Sequence, residues 1–437
     1  MAGSKGFRRT LLIVTLFALS VRFFLFLWQV AHPFAFNATL QNFQDFFGYY
    51  VKELTLQSQG YLPYRDFPFS YPPLFLYALA PFFKLGADFA AIPIIVADAL
   101  CAPLIYAIVR RQAGEILAVI ASLVFVVSPF FIVYEGLSWL SEEPMLLFLL
   151  LSVYLLIEGR VGLSAASFAV SLLFKQDAIF ALPAFCIIFY KLYGFRRLAK
   201  GAGILLAVVV IVSLPFLVLT PVGYLYSLSL GHIFPSYHPS LSLNSNTSTS
   251  GLTLGTFVST NISFTNLACS SIVNNPFQVS QLCTATEANG SVFTNWISGV
   301  PLGTTNALDV ITLLLFVPLL PEIVLLAKRR FMTVAFTVSY GVLLSTMIFL
   351  GFLGTYKYYL LPFYALMLVS VTGGLSLAIA VAAPILTLIL PSYLPGALSS
   401  SIVVLVSLQA FVLAGLLHAK HEEGDKKTVR GTESNVI

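Results

Sequence analysis

Lys200 is followed by GAGILLAVVVIVSLPFLVLT, residues 201–220, before the next break at Pro221. No charge interrupts that stretch, and a helix of this length spans about 30 Å, the thickness of a bilayer's hydrocarbon core. A helix on the surface of a soluble protein would show a polar face every third or fourth residue, and none is present. The stretch reads as a transmembrane helix, with Arg196, Arg197 and Lys200 marking its cytoplasmic end.

The same pattern recurs along the chain. Spans are expected at about 10–31, 88–109, 113–134, 143–158, 161–174, 178–194, 201–222, 308–327, 331–353, 359–373, 375–393 and 400–418. Of the 437 residues, 58% are apolar and 9% charged, against about 25% charged in ordinary soluble domains. That excludes a water-soluble protein, and 39 Phe with 20 Tyr exclude a disordered one. Nucleic acid is not an expected partner, because the basic residues sit at loop ends where membrane topology places them. The fold class is therefore an all-α polytopic membrane protein of about 12 helices. The first run resembles a signal peptide in its basic start, but its length of about 22 residues and lack of a small-residue cleavage site make it an uncleaved span.

With both termini cytoplasmic, Lys52, Arg65, Lys84, Lys175 and Lys357 are the basic residues left on the outer side, and Arg22 lies within the first span. Domains follow as 1–222, an N-terminal membrane module with a first external loop at 32–87; 223–307, a Ser/Thr/Asn-rich external segment; 308–418, further spans; and 419–437, a cytoplasmic tail. Within the first loop, the apolar run Pro72–Phe83 is too short to cross and reads as a helix lying at the interface. Cys101 and Cys186 fall in spans as small apolar residues. Cys269 and Cys283 share the external segment, where a disulfide is chemically permitted and would be worth about 3 kcal/mol. Glycosylation sequons occur at Asn37, Asn246, Asn261 and Asn289, all on the expected outer side.

The first loop carries residues that apolar packing does not require: Asp45-Phe-Phe-Gly-Tyr49-Tyr50, then Gly60-Tyr-Leu-Pro63-Tyr64-Arg65-Asp66, then Tyr71-Pro72-Pro73-Leu74. The order Asp-x-x-x-Tyr-Tyr, Gly-x-x-Pro-Tyr, Tyr-Pro-Pro-Leu after a first membrane helix resembles the GT-C superfamily, membrane glycosyltransferases that use polyprenyl-phosphate-sugar donors. Leu173-Phe-Lys175-Gln-Asp177 before Leu182-Pro183 resembles the Lys-containing turn of such enzymes. Tyr356-Lys357-Tyr358-Tyr359-Leu360-Leu361-Pro362 resembles their Arg-Tyr-Leu-Leu-Pro signature, with Lys replacing Arg. The resemblance implies a hexosyltransferase, mannose being the commonest donor sugar, that acts with inversion on a lipid, glycan or protein acceptor outside the cytoplasm. Expected partners are a polyprenyl- or dolichyl-phosphate sugar, membrane lipids and a glycan or glycolipid acceptor.

A lipid-linked donor presents its phosphate at the membrane surface, where Lys175 and Lys357 are expected. Lys357 supplies a point charge but not the two-pronged contact of Arg. Asp45 is the candidate general base and Asp66 the alternative. Tyr49, Tyr64, Arg65, Glu142 and Glu143 are candidates to touch substrate. Glu142 and Glu143, just before Pro144, also fit the first turn of a helix, where carboxylates favour the positive dipole end. No Asp-x-Asp pair or His cluster points to an obligatory metal cofactor. Arg22 and Asp98 are costly inside a membrane and sit at matching depths, about 14 Å, so they are expected to neutralise each other as a structural pair. Two other readings fit a twelve-span chain: a secondary transporter, though no internal repeat is evident, and a non-catalytic anchor for a surface layer. The outer sequons fit an archaeal-type plasma membrane or a eukaryotic luminal membrane, and because the tail from Thr432 to Ile437 carries no retrieval signal of the Lys-Asp-Glu-Leu type, the plasma membrane is expected over the endoplasmic reticulum.

Overall fold

The computed structural model describes residues 3–32, 46–67, 69, 71–221, 224, 228, 264–270, 282–287, 360–389, 407, 410, 411 and 414. Among these, four helices are long and apolar enough to cross a membrane, Lys5–Ala31, Asp88–Ala113, Gln176–Tyr193 and Phe195–Leu219. A bent pair, Glu115–Val127 with Pro129–Gly136, makes a fifth if taken as one span. The chain is an integral membrane protein built of helices. Of the expected spans, 308–327 and 331–353 lie outside the described residues, as does most of 400–418.

The order is α1 Gly3–Ala31, a π turn at Phe46–Tyr50 leading into α2 Val51–Ser58, α3 Pro73–Phe83, α4 Ile92–Ala113 and α5 Glu115–Val127. Then come α6 Glu142–Ile157, α7 Val161–Phe174, α8 Leu182–Tyr193, α9 Phe195–Leu219, α10 Leu361–Val369 and α11 Gly374–Ile389. Proline occupies one of the first two positions of α3, α4, α8 and α10, where its missing N–H costs nothing. Gly114 and Gly194, at φ 85° and 80°, make the sharp turns from α4 to α5 and from α8 to α9.

Helix α4 packs against α1, α5, α6 and α10. Its buried face includes Ala97, Ala99, Cys101 and Ala102, small residues that let neighbouring backbones approach. By contrast α9 buries only Gly201, Ser213 and Phe216, and Leu206 and Ile211 are exposed on its apolar surface, as expected of a lipid-facing helix.

The expected span 113–134 is broken. Pro129 disfavours helical geometry at Ser128, which is extended at ψ 135°, and the chain bends by 42° there. Pro129 also has no N–H for the Phe125 carbonyl. Arg22 of α1 supplies donors in its place, its guanidinium donating to Val126 O at 2.8 Å and to Phe125 O at 3.2 Å.

Helices α6 and α7 form an antiparallel hairpin locked by serines. Ser152 and Ser164 donate to each other's carbonyls at 2.8 Å, Ser167 donates to Phe148 O at 2.8 Å, and Ser171 donates to Met145 O at 2.7 Å. Continued by one more turn, this register sets Glu142 opposite Lys175.

Some expectations change. Residues 264–270 and 282–287, within the segment read as loop, form an antiparallel two-stranded ribbon, so the described chain is not purely helical. Cys269 stands opposite Cys283 in that register, and the disulfide expected between them is not supported, their side chains lying outside what is described. Cys186 is exposed, whereas Cys101 is buried. The apolar run 72–83 does form a short helix, α3, which packs against α7 and α9.

Candidate active site

The segment from Phe46 to Tyr71 is laid across the ends of α6 and α7 by aromatic rings. Phe46 meets Trp139 edge-on at 5.0 Å, and Trp139 also contacts Phe26 of α1 at 5.5 Å. Tyr50 sits between Tyr71 and Phe75, at ring distances of 5.5 and 4.8 Å. Its hydroxyl lies 3.4 Å from the Tyr71 hydroxyl and 3.4 Å from Ser141 Oγ. Tyr49, half-buried, contacts both Tyr50 and Tyr71.

Ser141 in turn donates to Glu142 Oε2 at 3.3 Å. Glu142 is the ion partner of Lys175, whose ammonium also lies 3.3 Å from Asp177 Oδ2 and 5.8 Å from the centre of the Tyr71 ring. Lys175 is fully buried. It falls where α7 ends: Lys175 is extended, at φ −152° and ψ 129°, and a 3-10 turn Gln176–Ala181 follows. Glu143 points differently, as neighbouring helical residues must, and its Oε1 accepts from the Leu140 N–H at 3.3 Å. Both glutamates stand in the first turn of α6, so a first-turn role and the ion pair coexist at Glu142.

The turn 62–67 is a rigid unit. Asp66 Oδ2 accepts from the Leu62 N–H at 2.8 Å, and Arg65 grips both carboxylate oxygens at 2.8 Å. That grip is the main reason the Asp66 carboxyl is held below its usual range, which makes it a weak base. Arg65 is committed to the same pair. At the centre Tyr64 has φ 67°, a conformation costing a bulky residue on the order of 1–3 kcal/mol. It is 2% exposed and burial pushes its phenol well above the usual range, so it remains a hydrogen-bond donor; it donates to Tyr71 O at 2.6 Å. The expectation that Tyr64 touches substrate therefore changes: it is packed behind Tyr71.

Behind this layer, Arg22 is ion-paired with Asp98 and lies 3.7 Å from Glu135 Oε2. Asp98 and Glu135 are both buried and both face the Arg22 guanidinium. The pair read from matching depth is thus brought together, with Glu135 as an unforeseen third member. Glu53, which no sequence pattern marks, is buried in α2, and burial raises its carboxyl from 4.5 to about 8, Lys52 opposing the shift. Among the described residues no group of three or more His, Cys, Asp or Glu is placed to hold a metal ion.

Asp45, Lys357 and the sequon residues Asn37, Asn246, Asn261 and Asn289 lie outside the described residues. Asp45 directly precedes Phe46, and Lys357 stands three positions before buried Leu360. Tyr50, Tyr71 and Ser141 join the site without having been singled out as site residues. The available signal was spacing: Ser164, Ser167, Ser171 and Lys175 repeat at three or four positions, one polar face on an otherwise apolar helix.

Residues 70–220 match the family of dolichyl-phosphate-mannose-protein mannosyltransferases. The matched stretch contains Tyr71, Ser141, Glu142, Lys175 and Asp177. No curated protein matches the chain.

Proposed function

We propose that the protein transfers a hexose, mannose first among them, from a polyprenyl-phosphate-linked donor to a lipid, glycan or protein hydroxyl on the extracytoplasmic face, with inversion. The observation that carries this reading is the convergence of Tyr71, Glu142, Lys175 and Asp177 inside the stretch that matches the mannosyltransferase family. In the transfer, the acceptor oxygen attacks the anomeric carbon and its proton passes to a carboxylate, while the bond from that carbon to the phosphate oxygen breaks. Asp45 is the proposed base. Asp66 is the weaker choice because Arg65 and the Leu62 N–H already occupy its oxygens.

The leaving lipid phosphate gains negative charge and needs cations. Lys175 and Lys357 are proposed to supply them, the phosphate replacing one of the carboxylates that now hold Lys175. Tyr49 offers a ring for the sugar, and the Lys175 cluster binds the phosphate end. No step requires a metal. The membrane is proposed to be an archaeal-type plasma membrane with both termini cytoplasmic, which sets this site on the outer face.

Purified full-length protein incubated with dolichyl-phosphate [3H]mannose should release the label to acceptor or water, and Asp45→Asn should abolish that release while leaving the protein folded. Failure of the wild type to consume the donor would overturn the function, and near-normal turnover by Asp45→Asn would remove Asp45 from the mechanism.

A further inference from the structure

We infer that Tyr64 is a positioning residue: it fixes Tyr71, and through Tyr71 the cationic site at Lys175, in the geometry that receives the donor phosphate. This rests on the function proposed above. Three observations support it independently of any family pattern.

The first is backbone conformation. A tyrosine at φ 67° persists only where its surroundings hold it. Here the turn closes with the Tyr64 N–H donating to Phe67 O at 2.9 Å and the Asp66 N–H donating to Leu62 O at 2.9 Å. The second is where the strain is directed. The Tyr64 hydroxyl donates to the Tyr71 carbonyl at 2.6 Å, immediately before Pro72 and Pro73, neither of which has an N–H to anchor the chain there. The third is bracing from behind. The Tyr64 ring is held edge-on by Phe216 at 5.0 Å and Tyr224 at 4.9 Å, and Ser213 and Tyr224 hydrogen-bond to each other at 2.6 Å. The end of α9 therefore backs the turn, the turn holds Tyr71, and the face of Tyr71 carries Lys175.

Tyr64→Phe removes the one donor and keeps the ring. The expected result is a donor KM raised about tenfold with kcat unchanged, the loss of roughly one positioning hydrogen bond. Melting temperature should be unchanged. Protein that is merely partly unfolded would lower kcat and leave KM alone. Hydrogen exchange of the Phe69–Phe75 amides should rise in Tyr64→Phe whether or not the donor is a substrate. If the wild type uses no polyprenyl-phosphate sugar, the proposed function fails and exchange alone decides whether Tyr64 fixes this segment. A KM within twofold of wild type in an active enzyme, or unchanged exchange at Phe69–Phe75, overturns the inference.

Discussion

Replacing Arg22 by Met should be among the most damaging single changes in this molecule that does not touch the proposed site. Arg22 is almost fully buried and has two roles. It neutralises Asp98 and faces Glu135 at 3.7 Å, and it donates to the Phe125 and Val126 carbonyls that the break at Pro129 leaves without helical partners. Removing one partner of a buried ion pair costs about 3–5 kcal/mol. Each stranded carbonyl adds roughly 1 kcal/mol or more. A net loss of about 5 kcal/mol corresponds to a drop in melting temperature of about 5 °C for a chain of this length. Arg22→Lys keeps the charge but not the fork that reaches both carbonyls, and should fall about midway. Asp98→Asn keeps the carbonyl bonds and should lose less than Arg22→Met. The assay is thermal melting of the full chain in detergent. If Arg22→Met melts within about 2 °C of wild type, or Arg22→Lys is indistinguishable from it, Arg22 does not hold the break together in this way.

Lys175→Met should strand Glu142 and Asp177, costing about 3–5 kcal/mol, whereas Lys175→Met with Glu142→Leu should recover part of that loss in the same melting assay. Neither variant should transfer sugar. Glu53 sets a pH dependence: its folded value near 8 exceeds the unfolded 4.5, so the native state binds the extra proton, and stability is greatest below about 4.5 and declines as pH rises to about 8. Glu53→Gln should flatten that decline, and parallel curves for the two proteins between pH 5 and 8 would contradict it. Asp66→Asn should keep measurable sugar transfer, unlike Asp45→Asn, because Asp66 closes a turn; complete loss of transfer with an intact melting temperature would instead make Asp66 the base.

The membrane class and the approximate place of α1, α4 and α9 are legible because a long, predominantly apolar run has few alternatives. The break at Ser128 is not, although Pro129 marks it: proline is tolerated inside membrane helices where neighbours satisfy the freed groups, and only the fold reveals that Arg22 does so here by donating to two carbonyls. Tyr64 misleads for a related reason. A tyrosine in an external loop looks available for binding, and nothing local shows that Phe216 of α9 and Tyr224 just beyond it, some 150 residues away in the chain, supply the rings that bury it.

The site itself shows how far spacing reaches. Glu142 and Lys175 are 33 positions apart, and no local pattern pairs them. Ser164, Ser167 and Ser171 do share one face of α7, with Lys175 directly after its end, and a polar face on an apolar membrane helix turns toward other helices and away from lipid. Each serine donates to an α6 carbonyl, so the partner register is fixed by backbone atoms that any α6 sequence would present. That is why the face can be read from α7 alone but its partner cannot. It also follows that exchanging Ser171 for Val should disturb the approach of Glu142 to Lys175 from one turn away, without touching either charge.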